Sequence, residues 1–213
     1  MTQIVGLLDG RPSTTHWVPF ARDLTPPARS VTADFVLRPI TAADAEVDHE
    51  AVMESRELLR LWEQSTWPAD DFTVEDNRAD LEKMEQRHAS GVAFGYTMLS
   101  GDESACLGCV YVFAHDARFL AAADVVAVTD APWDRIDAAV YFWVRVSQLS
   151  QGLDRSLLQH LRRWFAEVWG FDDVVFVTSE LFTQQVRLLE DTDLELRFEL
   201  VEPGKPARYL AYG

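Results

Sequence analysis

Apolar and polar positions change period several times along the chain, and each change marks an element. Residues 34–40, DFVLRPI, form a short strand candidate. From Thr41 the spacing turns helical. Val47, Ala51, Leu58, Leu61 and Trp62 trace one stripe, Thr41 with Asp44 fits a capping pattern, and Pro68 ends the segment. A second helix opens at Thr73 with an acid at Asp76, carries Leu81, Met84 and His88 on one face, and closes at Gly91. Strand candidates follow at 92–99, with Phe94, Tyr96 and Met98 on one side, and at 105–115, across the turn Ser100-Gly101-Asp102-Glu103. A third lies at 137–146, and the connection 116–136 before it has the length of a functional or mobile loop.

The strongest helical stripe is Leu157, Leu158, Leu161, Trp164, Phe165 and Val168, in a helix predicted over 154–169 that Asp154 opens and Gly170 ends. Residues 173–178, DVVFVT, read as a buried strand, so 137–178 forms a β-α-β unit with parallel strands and a right-handed crossover. A short helix over 181–190 and a hairpin around Pro203-Gly204-Lys205-Pro206 finish the pattern. Antiparallel strands followed by one parallel crossover predict an α/β domain over 33–213, with a mixed, mostly antiparallel sheet and helices on both faces. Residues 1–32 hold four prolines among Val5, Leu7, Leu8, Trp17 and Phe20. They read as an irregular arm that packs over the domain or over a partner subunit, which points to a homodimer.

Composition narrows the function classes. Seven Trp and twelve Phe in 213 residues supply ample core for one domain. A formal net charge of −16 argues against the basic face that nucleic acid or an anionic membrane requires, and suits a cationic partner such as an amine. No apolar run reaches a membrane span and no secretory signal opens the chain, so the reading is cytoplasmic. Cys106 and Cys109 form a CxxC; on a regular strand that odd spacing sends them to opposite faces, and no second Cys/His pair follows, so no metal site is expected.

Several segments in this order carry a family resemblance. Phe35-Val36-Leu37-Arg38-Pro39 resembles an "FxLRP" opening strand, and Ser55-Arg56 with Leu58, Leu59 and Trp62 an "SRxxLxxW" helix. Leu107 to Tyr111 resembles an "xGxxY" strand, Ala139 to Arg145 an "AxVxYWVR" strand, and Thr183 to Leu194 an "NxxAxxxYExxGF" segment. Together, over about 35–200, the chain resembles the GCN5-related N-acetyltransferases. That resemblance implies a parallel strand pair that splays to admit the pantetheine of acetyl-CoA as co-substrate. It also implies a diphosphate bound on backbone amides before the following helix, and direct attack by an amine of a small molecule or a peptide.

Transferred by position, the resemblance assigns Trp143, Val144 and Arg145 to the cofactor strand, Gln148, Gly152, Leu153, Asp154 and Arg155 to the diphosphate loop, and Thr183 to the helix beyond. The family's Arg/Gln-x-x-Gly-x-Gly/Ala pattern meets Leu149, Gly152 and Asp154 here, so only Gly152 matches, with Gln148 one residue off. Asp154 puts a negative charge where a diphosphate would sit, to be offset by Arg145 and Arg155. Leu189 and Asp193 replace the usual Tyr and Gly, and Thr183 the usual Asn. For the chemistry, Glu180 after a strand end is a candidate base, His115 a candidate acid–base group, and one of the strand tyrosines Tyr96, Tyr111 and Tyr141 a candidate for the missing acid, with Tyr141 taken as the site residue. Each also has an ordinary structural reading. Three functions stay open: an N-acetyltransferase, a relative that has lost the chemistry and serves as a coenzyme A-binding or interaction module, and an unrelated α/β domain with the same element order.

Overall fold

The computed structural model describes Phe20 and residues 24–213. The first half comprises strands β1 (Ser30–Val31) and β2 (Val36–Pro39), helices α1 (Ala45–Glu54), α2 (Arg56–Glu63) and α3 (Val74–Ser90), and strands β3 (Ala93–Leu99) and β4 (Cys106–Phe113). Helix α4 (Arg118–Ala121) and strand β5 (Asp124–Ala127) lead to β6 (Ala138–Val144), α5 (Val146–Leu149) and α6 (Leu153–Trp164). Strand β7 (Val174–Ser179), helix α7 (Thr183–Glu190) and strands β8 (Leu196–Val201) and β9 (Tyr209–Tyr212) complete the chain. The nine strands form one mixed sheet in the order β1-β2-β3-β4-β6-β7-β9-β8-β5, and β6–β7 is its parallel pair.

Alternation along the strands sorts side chains to two faces. Cys109, Tyr111, Tyr141, Trp143 and Tyr209 point to one face, where Leu59 and Trp62 of α2 and Leu81 and Met84 of α3 cover them. Val110, Phe142, Val144 and Phe176 point to the other, against Leu157, Leu158 and Leu161 of α6 and Leu188 and Leu189 of α7. Local signals set the helix ends. Thr73 and Asp76 close a reciprocal capping box at the start of α3, and Gly91 ends it in the left-handed region at φ 71°.

Five expectations change. The helix after Thr41 breaks at Ser55, whose hydroxyl instead accepts the Val146 amide at 3.0 Å and ties α1 and α2 to the end of β6. The 116–136 connection is not a bare loop, because β5 pairs with β8 at the sheet edge and Phe119, Leu120 and Ile136 enter the core. Of the N-terminal arm, residues 1–19 and 21–23 lie outside the described residues; Phe20 is buried against Phe94, and Ser30–Val31 are a strand, not irregular chain. Helix α6 starts one residue earlier than expected, after Gly152 at φ 72°, which makes Asp154 a first-turn residue and not the cap.

The fifth correction concerns the cysteines. The β3–β4 register steps from Met98↔Gly108 to Leu99↔Cys106, which leaves Leu107 as the extra residue of a bulge. The bulge resets the alternation, and Cys106 and Cys109 enter the same core cluster. Gly108 makes this possible: it sits at φ 152°, and a Cβ there would lie 2.1 Å from the Trp143 carbonyl oxygen.

Candidate active site

The parallel pair is hydrogen-bonded only through Ala138↔Val174, Ala139↔Val175 and Val140↔Phe176. Beyond that point β6 continues to Val144 and β7 to Ser179 without pairing with each other. The Arg145 amide donates to Leu107 O at 2.8 Å on the β4 side, so strand alternation turns the backbone groups of Phe142 and Val144 toward the opening. Gln185 of α7 enters from below: its Nε2 donates to Phe142 O at 2.9 Å while its buried Oε1 has no partner among the described residues. A side-chain amide thus stands where a neighbouring strand would have supplied a peptide group.

Beside the opening, the N-terminus of α6 and helix α7 enclose a cleft of about 380 Å³. Gly152, Asp154, Arg155 and Thr183 of the expected set line it, joined by Leu149, Gln184, Arg187, Leu188 and Asp191. The α6 terminus is the place where an anion gains from free amides and the helix dipole. Here the chain supplies part of that anion itself. Asp154 is buried, and its carboxylate accepts from the Arg155 amide at 2.8 Å and from Gln184 Nε2. Arg155 reaches Asp191 at 3.1 Å.

The remaining cofactor candidates lie elsewhere. Arg145 turns to α1, pairing with Glu50 at 3.0 Å and with Glu54, so it does not offset the charge of Asp154. Gln148 accepts from Gln151 within the α5 turn. The side chains of Trp143 and Val144 are buried on opposite faces of β6, and Leu153, the first residue of α6, is buried against the sheet. Any ligand contact from Val144 is therefore through its backbone.

The three catalytic candidates are not brought together. His115 follows the end of β4, and β4 runs antiparallel to β6, so it lies at the Ala138 end of the sheet, away from the opening. Glu180 accepts three hydrogen bonds from Arg208, which hold its carboxyl below the usual range and make it a poor base. Glu180, just past the end of β7, lies at the same end of the sheet as Tyr141, which is the first β6 residue beyond the last parallel pair. The Tyr141 hydroxyl is buried without a partner among the described residues. Burial, and then the charges of Glu202 and Glu63, push its pKa well up, which keeps it a neutral O–H donor.

The carboxylate beside Tyr141 escaped the sequence reading. Glu202, just past β8, is 3% exposed, and neither of its oxygens has a hydrogen-bond partner among the described residues. Burial lifts its pKa to about 7 against the opposing charge of Lys205. Tyr209, whose ring centroid lies 6.3 Å from that of Tyr141, donates to Glu63 O at 3.0 Å, and Lys205 pairs with Glu63 Oε1 at 3.2 Å. A buried carboxylate poised near neutrality, next to a neutral hydroxyl, has the makings of a general base.

A parallel pair that parts over a helix N-terminus, within this strand order, defines the fold of the GCN5-related N-acetyltransferases. No family model and no curated protein matches the sequence. Solved structures do match in fold. A ribosomal-protein-S5-alanine acetyltransferase from Vibrio fischeri superposes with a TM-score of 0.62 at 14% identity, covering 87% of this chain and 95% of that one. The ribosomal L7/L12 α-N-protein acetyltransferase RimL in complex with coenzyme A gives 0.63 at 16% identity, covering 86% and 94%. RimJ from Mycobacterium smegmatis in complex with a coenzyme A disulfide gives 0.63 at 14%, covering 84% and 80%. The chain therefore has the acetyltransferase fold along most of its length. Among the described residues no helix is long and apolar enough to cross a membrane.

Proposed function

We propose that this protein is an acyl-CoA-dependent N-acyltransferase that moves an acetyl group directly onto a primary amine at the end of a protein or peptide. The observation that carries the reading is the parting of β6 and β7 beyond Val140–Phe176, with backbone groups of β6 turned into the opening. In this reading a pantetheine arm takes the opening, displacing the Gln185 amide from Phe142 O, and a diphosphate takes the cleft at the α6 terminus, with Arg155 and Arg187 on its walls, once the Asp154 carboxylate gives way. The solved relatives named for protein α-amines, and the net charge of −16 that favours a cationic acceptor, support the acceptor class.

Acetyl-CoA supplies the acyl carbon. In this reading Glu202 accepts the proton that the amine nitrogen loses as the N–C bond forms, and the Tyr141 hydroxyl hydrogen-bonds the sulfur as the C–S bond breaks. The sulfur leaves as a thiolate, and the proton held by Glu202 balances it, so that its return gives an amide and the free thiol as products. Titration calorimetry with acetyl-CoA, followed by thiol release with a panel of peptides, tests this. Saturable binding and peptide-dependent release are expected, with Glu202→Gln lowering kcat roughly 10²–10⁴-fold while binding persists. Absence of binding at millimolar acetyl-CoA overturns the reading.

One observation favours a second reading. With the Asp154 carboxylate seated on the Arg155 amide, the chain provides its own anion and has no need of a coenzyme. A wild type that stays silent toward coenzyme A while Asp154→Gly binds it would establish this alternative.

A further inference from the structure

The CxxC that the bulge gathers on one face has no part in the acyl-transfer site. Cys106 Sγ and Cys109 Sγ both approach the same atom, Asp48 Oδ1 of α1, at 3.4 and 3.3 Å. Both cysteines are 0% exposed and Asp48 is 2% exposed. The other carboxylate oxygen accepts from Asn77 Nδ2 at 2.9 Å, and Asn77 is anchored in turn on Ala45 O. A buried carboxylate normally meets a cation. Among the described residues, the hydrogen bonds to Asp48 come from two weak S–H donors and one amide, all neutral.

We propose that Asp48, Cys106 and Cys109 form a structural site for a thiophilic divalent cation, of which Zn²⁺ is the natural occupant. The spacing supports this. Around tetrahedral zinc, ligand distances of about 2.3 Å to sulfur and 2.0 Å to oxygen place neighbouring S and O atoms about 3.5 Å apart. The contacts to Asp48 Oδ1 already have that separation, and all three ligand atoms lie within 4.8 Å of one another. Asn77 supplies the outer hydrogen bond that orients a metal-bound carboxylate.

Binding replaces two thiol protons by one M²⁺, leaving two thiolates and a carboxylate around it, so affinity rises with pH as the protons leave. The competing use of such a pair is a disulfide. Forming it would remove both S–H donors from Asp48 and leave a buried carboxylate with Asn77 as its remaining partner of the three, which weighs against the oxidised form. The site would pin α1 and, through Asn77, α3 onto the bulged end of β4.

The test uses the full chain, produced in medium supplemented with Co²⁺ and purified under reducing conditions without chelator. The expected result is about one cobalt per chain with the thiolate-to-cobalt charge-transfer band and the visible bands of tetrahedral Co²⁺. Cys106→Ser, Cys109→Ser and Asp48→Asn should each remove the charge-transfer band or most of the metal, and circular dichroism reports whether each variant is folded. Wild-type protein with little cobalt and no charge-transfer band overturns the proposal, as does a band that survives in the Cys106→Ser/Cys109→Ser double variant. Neither readout depends on acyl transfer, so this inference and the proposed function fail separately.

Discussion

Replacing Glu202 by Gln keeps the shape of the side chain and removes its charge, and the effect should depend on pH in a defined direction. The folded carboxyl titrates near 7, against 4.5 when unburied, because burial opposes its charge. Between those values the folded chain holds a proton that the unfolded chain has lost, so stability falls as pH rises through the window, and the whole cost is present above it. The shift corresponds to roughly 3 kcal/mol at pH 8 and roughly 1 kcal/mol at pH 5. Glu202→Gln should therefore stabilise the protein by about 2 kcal/mol more at pH 8 than at pH 5. Urea unfolding followed by tryptophan fluorescence at both pH values measures the difference. An equal effect at the two pH values, or a variant less stable than wild type at pH 8, would refute the claim that this carboxylate is held out of water without a hydrogen bond to offset its burial.

Other outcomes follow from the same geometry. Asp154→Ala removes a like charge from the α6 terminus and releases the Arg155 amide, so coenzyme A should bind roughly tenfold tighter or better by calorimetry, with the largest gain at low salt. Lys205→Met strips the buried partner of Glu63 and should cost about 3–5 kcal/mol in chemical denaturation. Gly108→Ala sets a Cβ against the Trp143 carbonyl in a backbone conformation that suits glycine, and should lower stability by about 3 kcal/mol or abolish soluble expression.

What the sequence disclosed and what it hid divide along physical lines. The α3 boundaries were legible because Thr73, Asp76 and Gly91 act within one turn of the chain. The β-α-β unit was legible because its apolar periods are long and its crossover is local in sequence. The shared face of Cys106 and Cys109 was hidden, since a bulge is set by the register of two strands; Gly108 was the one local hint. Glu202 was hidden for a similar reason. It reads as an ordinary hairpin acid, and its burial arises only when the hairpin folds back on the end of α2. The position of His115 was hidden as well, because which end of the sheet a strand end reaches depends on the direction of the strand, and β4 runs against β6.

The open edge of β6 is the feature on which the functional account rests. Hydrogen exchange across residues 141–145, with and without saturating acetyl-CoA, interrogates that edge itself. Slowed exchange at the Phe142 and Val144 amides and in the first turn of α6 is the result expected when acetyl-CoA is present. Unchanged exchange at both places would contradict that account.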